Sequence, residues 1–187
     1  MDKVIGLVGY PGAGKSYVSK LLNKEFGFVV INADLVGHTV LIDKQDEVVK
    51  AFGRGILLHD RIDRERLASI VFCHKEFLDK LNSILHPEIT RQIEEFIKKR
   101  ECSKYVIEAA LLFESGLNEL CDEVWLIDVP FKVRLRRVKE RGWDGKELIS
   151  REIHFLPEEE LKKRVDRIFL NVGPVEMMIR TIRGFLG

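Results

Sequence analysis

Val4-Ile5-Gly6-Leu7-Val8, followed by Gly9-Tyr10-Pro11-Gly12-Ala13-Gly14-Lys15-Ser16, decides the fold. The first five residues are a short apolar run that stops at Gly9, which predicts a buried strand. The next eight match GxxxxGK[ST], and each part of that pattern has a physical reason. Glycines let backbone N–H groups turn inward around anionic oxygens without Cβ clashes. A helix beginning at Lys15 aims its positive end at the same oxygens. Lys15 adds a mobile charge for the β- and γ-phosphates of ATP, and the Ser16 hydroxyl suits a Mg²⁺ ion. Such an octet also occurs by chance, but here it follows an apolar strand and opens a helix, which is the context it requires. Gly12, Ala13, Gly14, Lys15, Ser16 and Tyr17 are therefore the expected phosphate-binding residues.

Working outward, a helical pattern runs from Lys15 to about Phe26, with Gly27 as its closing residue. Phe28–Ile31 reads as a second buried strand leading to Asn32-Ala33-Asp34. From about Val36 to Arg100 the apolar spacing is helical, with a new helix expected to begin at Pro87. Strands return at Tyr105–Ile107 and Val124–Val129. A basic helix follows over about Lys132–Arg141, broken by Gly142-Trp143-Asp144-Gly145. Helices over Lys146–His154 and Glu158–Val165, a strand at Arg167–Leu170 and a last helix complete the chain. Strands that are near-continuous apolar runs, alternating with helices, predict an α/β fold around a buried parallel sheet of about five strands. The expected organisation is one domain: a core of about 1–35, 101–131 and 157–187, a helical substrate region of about 36–100, and a lid of about 132–156.

Composition narrows the partners. The chain has 187 residues and a net charge of +1, which argues against a broadly basic nucleic-acid binder. The opening apolar run is too short for a signal-peptide core or a membrane span. Cys73, Cys102 and Cys121 are widely spaced and odd in number, the pattern of free thiols in a reducing cytoplasm. A small-molecule substrate is the expected partner; oligomeric state is left open.

Several side chains are candidates for chemistry. Asp34 lies just past the second strand, where doubly wound sheets gather their ligands, and can orient an acceptor hydroxyl and take its proton; it equally suits a helix cap. Arg137 and Arg141 share a helix face and can clamp a triphosphate, or else form a solvated charged face. Glu108, at the end of the third sheet strand, is placed to hold Mg²⁺ through water, or is an ordinary buried acid. His38, Arg64 and His86 are candidate substrate contacts whose alternatives are local capping and pairing. No Asn-Lys-x-Asp segment suggests guanine selection. The residues alone leave a small-molecule or nucleotide kinase.

The chain also resembles the dephospho-CoA kinase family over nearly its whole length. The resemblance is carried by Gly9–Ser16, by Asn32-Ala33-Asp34 with His38, and by Ile62–Phe72. It continues through Leu81-Asn82 with His86-Pro87, Leu111-Leu112-Phe113-Glu114, Asp166 and Asn171-Val172-Gly173. It departs from the family pattern at Asn32, Asp60-Arg61, Ala110, Phe155 and Leu161. The resemblance implies a nucleotide-kinase-like three-layer fold with a P-loop. It implies ATP and Mg²⁺ as cofactors, and the ribose 3′-hydroxyl of dephospho-CoA as acceptor. It makes Asp34, Lys15 and Arg141 the catalytic residues, sets Asn171 against adenine, and puts Leu112 and Glu114 at the substrate. A kinase for a nucleoside monophosphate or another small hydroxyl compound is the alternative.

Overall fold

The computed structural model describes residues 3–71, 73–99, 104–153 and 155–187. Phe72, Arg100, Cys102 and His154, which figure in the expectations above, lie outside them. In chain order the elements begin β1 (Lys3–Val8), α1 (Lys15–Phe26), β2 (Val29–Asn32), α2 (Ala33–Asp43) and α3 (Gln45–Phe52). They continue with β3 (Leu57–Leu58), β4 (Arg61–Ile62), α4 (Arg64–Val71), α5 (Lys75–Lys99), β5 (Lys104–Glu108) and β6 (Glu123–Asp128). The last are α6 (Phe131–Lys139), α7 (Gly145–Glu152), α8 (Glu158–Arg164), β7 (Arg167–Leu170) and α9 (Val175–Leu186). The chain divides into two compact units, Met1–Asn32 with Glu101–Gly187, and Ala33–Arg100.

The first unit holds a five-stranded sheet in the order β2-β5-β1-β6-β7, with every neighbouring pair parallel. β1 is central, so the phosphate loop leaves the middle of the sheet's carboxyl edge. The register sets Glu108 opposite both Leu7 and Asn32, and Asp128 opposite Leu170. The strand-end acids therefore flank the loop, at the edge where open α/β sheets bind ligands. Ile5, Leu7, Val106, Trp125, Ile127 and Phe169 meet Val18 and Leu22 of α1 and Met178 and Ile182 of α9 in one buried core. Each such side chain contributes about 1.5–3 kcal/mol on burial, which fixes the start of α1 behind the loop. Gly27 closes α1 as expected: its φ is 74°, and its N–H and that of Phe28 donate to Asn23 and Leu22 carbonyls. Asp122 and Asp166 are strand-start acceptors, taking the N–H groups of Val4 and Val124 at 2.7 Å each.

The second unit corrects two expectations. No new helix begins at Pro87; α5 runs through it as one helix. Leu78, Leu81, Leu85, Ile89 and Ile93 form one buried stripe that crosses the proline, whose ring lies on the exposed side. Burial of five apolar side chains outweighs an interior proline costing about 3 kcal/mol. The stretch before α4 is not wholly helical either. β3 and β4 pair antiparallel, Leu57 with Ile62 and Leu58 with Arg61, around a two-residue turn. His59 and Asp60 take φ values of 50° and 59° there, a left-handed pair typical of hairpin turns. Among the described residues no helix is long and apolar enough to cross a membrane.

Candidate active site

The phosphate loop folds on its glycines. Gly12 and Gly14 have φ values of 80° and 87°, a region that costs other residues about 1–2 kcal/mol. Both also lie against neighbours. A Cβ on Gly12 would sit 2.9 Å from the Arg134 carbonyl oxygen, and one on Gly14 would sit 2.4 Å from Asn171 Nδ2. α6 and the residue after β7 are thus packed directly on the loop.

Side chains from those two elements hold the loop's carbonyls. Asn171 Nδ2 donates to Ala13 O at 2.7 Å. Arg137 Nη1 reaches Gly12 O at 3.4 Å and Ala13 O at 3.3 Å, and its Nη2 donates to Asn171 O at 2.9 Å. Asn171 is only 2% exposed, and its Oδ1 has no hydrogen-bond partner among the described residues. The expected nucleotide residues Gly12, Ala13, Gly14, Arg137 and Asn171 are therefore one connected cluster. Lys15 Nζ donates to Gly9 O at 2.7 Å, a neutral acceptor that an anionic phosphate readily outcompetes. Tyr17 is exposed on the first turn of α1.

At the end of β5, Glu108 is 5% exposed and spends both carboxylate oxygens on α1. Ser16 Oγ donates to Oε1, and Ser19 Oγ donates to Oε2 at 3.0 Å. Ser16 and Glu108, the two residues expected at a metal, are thus direct partners. Leu112 is fully buried and occupies the space that a side chain at Gly6 would need, so its side chain is core and not surface. Glu114 accepts the N–H of Leu156 at 3.1 Å. Burial pushes its carboxyl above the usual range, against that bond and the Arg164 charge. Burial also pushes the Cys121 thiol up to about 12, which leaves it inert.

The basic helix does not present its arginines alike. Arg141 is exposed, and its side chain has no hydrogen bond or ion pair among the described residues. Arg134, to which the sequence assigns no role, is 6% exposed. It pairs with Glu152 and donates to Val129 O and Pro11 O, with its guanidinium 5.0 Å from the Tyr10 ring centre. Its helical spacing from Val138, a buried residue four positions on, was the available signal.

In the second unit, His38 and Arg64 come together: Arg64 Nη2 lies 2.6 Å from His38 Nε2. A guanidinium only donates, so Nε2 is the acceptor. Both line a cavity of about 590 Å³ with Leu41, Ile42, Gln45, Asp60, Arg61 and Ile62. His86 is half-buried in α5, away from that list of walls, and burial lowers its pKa. Asp34 sits in the first turn of α2, two residues beyond β2.

A family model described as dephospho-CoA kinase matches residues 3–176. The dephospho-CoA kinase of Carboxydothermus hydrogenoformans is 38% identical over 92% of this chain and 87% of its own. That of Fusobacterium nucleatum is 36% identical over 97% of this chain and 96% of its own. The crystal structure of TT1252 from Thermus thermophilus superposes with a TM-score of 0.87 at 32% identity, over 99% of this chain and 96% of that one. A dephospho-CoA kinase from Campylobacter jejuni gives 0.69 at 27% identity, over 100% and 96%. A shikimate kinase from Aquifex aeolicus gives 0.55 at 19% identity over 98% and 95%, a likeness of fold alone. The matched stretch runs from β1 into α9 and takes in the whole phosphate loop with Glu108, Arg137 and Asn171, and on it the chain belongs to the dephospho-CoA kinase family.

Proposed function

We propose that this protein transfers the γ-phosphate of ATP to the ribose 3′-hydroxyl of 3′-dephospho-CoA, giving CoA and ADP, the final step of coenzyme A synthesis. The near-full-length family match carries this reading. The loop geometry supports its phosphate end. Backbone N–H groups of the loop and the start of α1 receive the phosphates, and Lys15 turns from Gly9 O to the β- and γ-oxygens. Asp34 orients the acceptor hydroxyl. The hydroxyl oxygen bonds to the γ-phosphorus, the bond to the β–γ bridging oxygen breaks, ADP leaves, and Asp34 takes the hydroxyl proton. In a loose transition state this proton leaves late, so positioning counts for more than basicity. Arg141, with no competing partner among the described residues, supplies charge to the equatorial oxygens.

Mg²⁺ fits the donor set. It takes one or two carboxylates together with phosphates and waters, and Ser16 and Glu108 offer a hydroxyl and a carboxylate. No group of three or more His, Cys, Asp or Glu side chains among the described residues forms a cage of its own. Ser16 and, through water, Glu108 would hold the ion. When bound with ATP it neutralises charge on the β- and γ-phosphates.

The acceptor contacts proposed are His38, Arg64, His86 and Glu114; Leu112, whose side chain is core, is not among them. The cavity at His38 and Arg64 combines apolar walls with cationic groups, which suits a ligand bearing both a phosphate and an aliphatic arm. Cys73 and Cys121 are free thiols, which supports placing the enzyme in the cytoplasm.

The test is a coupled ADP-release assay across acceptors: dephospho-CoA, nucleoside monophosphates and shikimate. Turnover confined to dephospho-CoA is expected; turnover of a nucleoside monophosphate with none of dephospho-CoA would refute the assignment. Asp34→Asn is expected to keep ATP affinity and lose transfer, whereas Lys15→Ala loses both.

A further inference from the structure

Arg134 is the most enclosed cation among the described residues, and the chemistry above does not use it. It emerges from α6 beneath the phosphate loop. Its Nε donates to Val129 O at 3.1 Å, its Nη1 reaches Pro11 O at 3.4 Å, and Nη1 also pairs with Glu152 at the end of α7. Its guanidinium lies 5.0 Å from the Tyr10 ring centre and 5.4 Å from that of Phe131. Tyr10 repeats the connection. Its hydroxyl donates to Leu156 O at 2.7 Å, and its ring lies 5.6 Å from that of Phe155. Burial and the carboxylates of Glu158 and Glu152 hold the phenol above its usual pKa, so it remains a donor at neutral pH. Of two consecutive loop residues, Tyr10 is thus held directly by Phe155 and Leu156, and Pro11 is held by Arg134, whose countercharge is Glu152.

We propose that Arg134 is a positioning residue which, with Tyr10, ties the phosphate loop to the segment joining α7 and α8, so that nucleotide binding and docking of that segment form one equilibrium. The physical reason is the position of the charge. A guanidinium this enclosed needs a full countercharge, and Glu152 is its one ion-pair partner among the described residues. Undocking the end of α7 strands Arg134 beside carbonyls alone, which loosens its hold on Pro11, and loss of Phe155 and Leu156 frees Tyr10. A ligand that binds the ordered loop therefore favours the docked segment, and the docked segment favours the ligand by the same factor. Docking also covers the loop at Tyr10, which keeps water from the γ-phosphate. The proposal rests on the phosphoryl-transfer reading only for this last consequence.

The test measures ATP affinity by calorimetry without acceptor, the share of ADP formed by hydrolysis when acceptor is present, and the urea unfolding midpoint. Glu152→Gln and Arg134→Gln are each expected to weaken ATP binding about tenfold and to lower the midpoint. The double variant Arg134→Gln/Glu152→Gln should regain stability, since no lone buried charge remains, yet bind ATP no better than either single variant. Tyr10→Phe introduces no buried charge; it should weaken ATP about threefold, raise the hydrolysed share and leave the midpoint nearly unchanged. Wild-type ATP affinity and hydrolysed share in both Tyr10→Phe and the double variant would overturn the proposal, whatever happens to stability. Absence of dephospho-CoA turnover in the wild type would instead sink the functional assignment, and ATP affinity would still report on the latch.

Discussion

Replacing Gly14 by Ala puts a methyl group 2.4 Å from Asn171 Nδ2, in a backbone whose φ is 87°. Two costs follow, and they are separable. The left-handed backbone costs a Cβ-bearing residue about 1–2 kcal/mol. The methyl also expels the Asn171 amide from Ala13 O, a buried bond of 2.7 Å whose loss leaves the amide N–H without its acceptor while Arg137 still reaches the carbonyl, for about 1–3 kcal/mol more. The sum, about 2–5 kcal/mol, lowers Tm by roughly 4–20 °C in a chain of this size. Denaturant unfolding of Gly14→Ala, Asn171→Ala and the double variant measures both parts. In the Asn171→Ala background the obstacle is gone, so Gly14→Ala should cost only the backbone share. The coupling between the two sites should then be about 1–3 kcal/mol. Equal costs of Gly14→Ala in the two backgrounds, within about 0.5 kcal/mol, would show that Asn171 is not what the loop packs against.

The second unit offers two independent checks. Burial lowers the pKa of His86, so below about pH 6.5 the unfolded chain takes up a proton that the folded chain refuses. Stability should fall as pH drops from there through the folded pKa and then level off; in His86→Gln that component of the slope should be missing, and parallel pH profiles for the two proteins would refute it. Asp60→Gly relieves a left-handed residue at the second position of the β3–β4 turn, at the loss of an exposed pair with Arg54. We expect a gain of about 0.5–1 kcal/mol, read as a Tm higher by roughly 1–4 °C, and any decrease counts against the turn assignment.

What could be read from the sequence is what depends on neighbours along the chain. A strand, a glycine turn and a helix start are consecutive in residues 3–26, so the loop and its place at a strand end were legible. So was the closing glycine of α1. The strand order was not, because nothing local places β5 between β1 and β2. The hairpin at Leu57–Ile62 has two residues per strand, too few for any periodicity to register. Pro87 misled for an instructive reason: a proline is a local signal against helix, whereas the stripe from Leu78 to Ile93 that overrides it is a tertiary one. Arg134 read as one of several arginines on a charged helix. Its enclosure depends on Glu152 and on Pro11, 18 and 123 residues away.

The arginines of α6 make sense once the loop is considered from behind. A loop that turns its N–H groups inward around an anion leaves its carbonyls facing out, and Pro11, Gly12 and Ala13 present three in succession. Buried carbonyls need donors. Arg134 serves Pro11, Arg137 serves Gly12 and Ala13, and Asn171 serves Ala13. Their bonds hold the loop in its anion-binding shape before a nucleotide arrives, so less ordering remains to be done on binding. Arg141, one turn beyond Arg137 and just past the end of α6, has no such duty: it is exposed, with no hydrogen bond or ion pair among the described residues. A basic helix beside a phosphate loop thus carries two kinds of arginine: Arg134 and Arg137 are turned in and build the site from its outer side, while Arg136 on the helix and Arg141 just past it stay exposed.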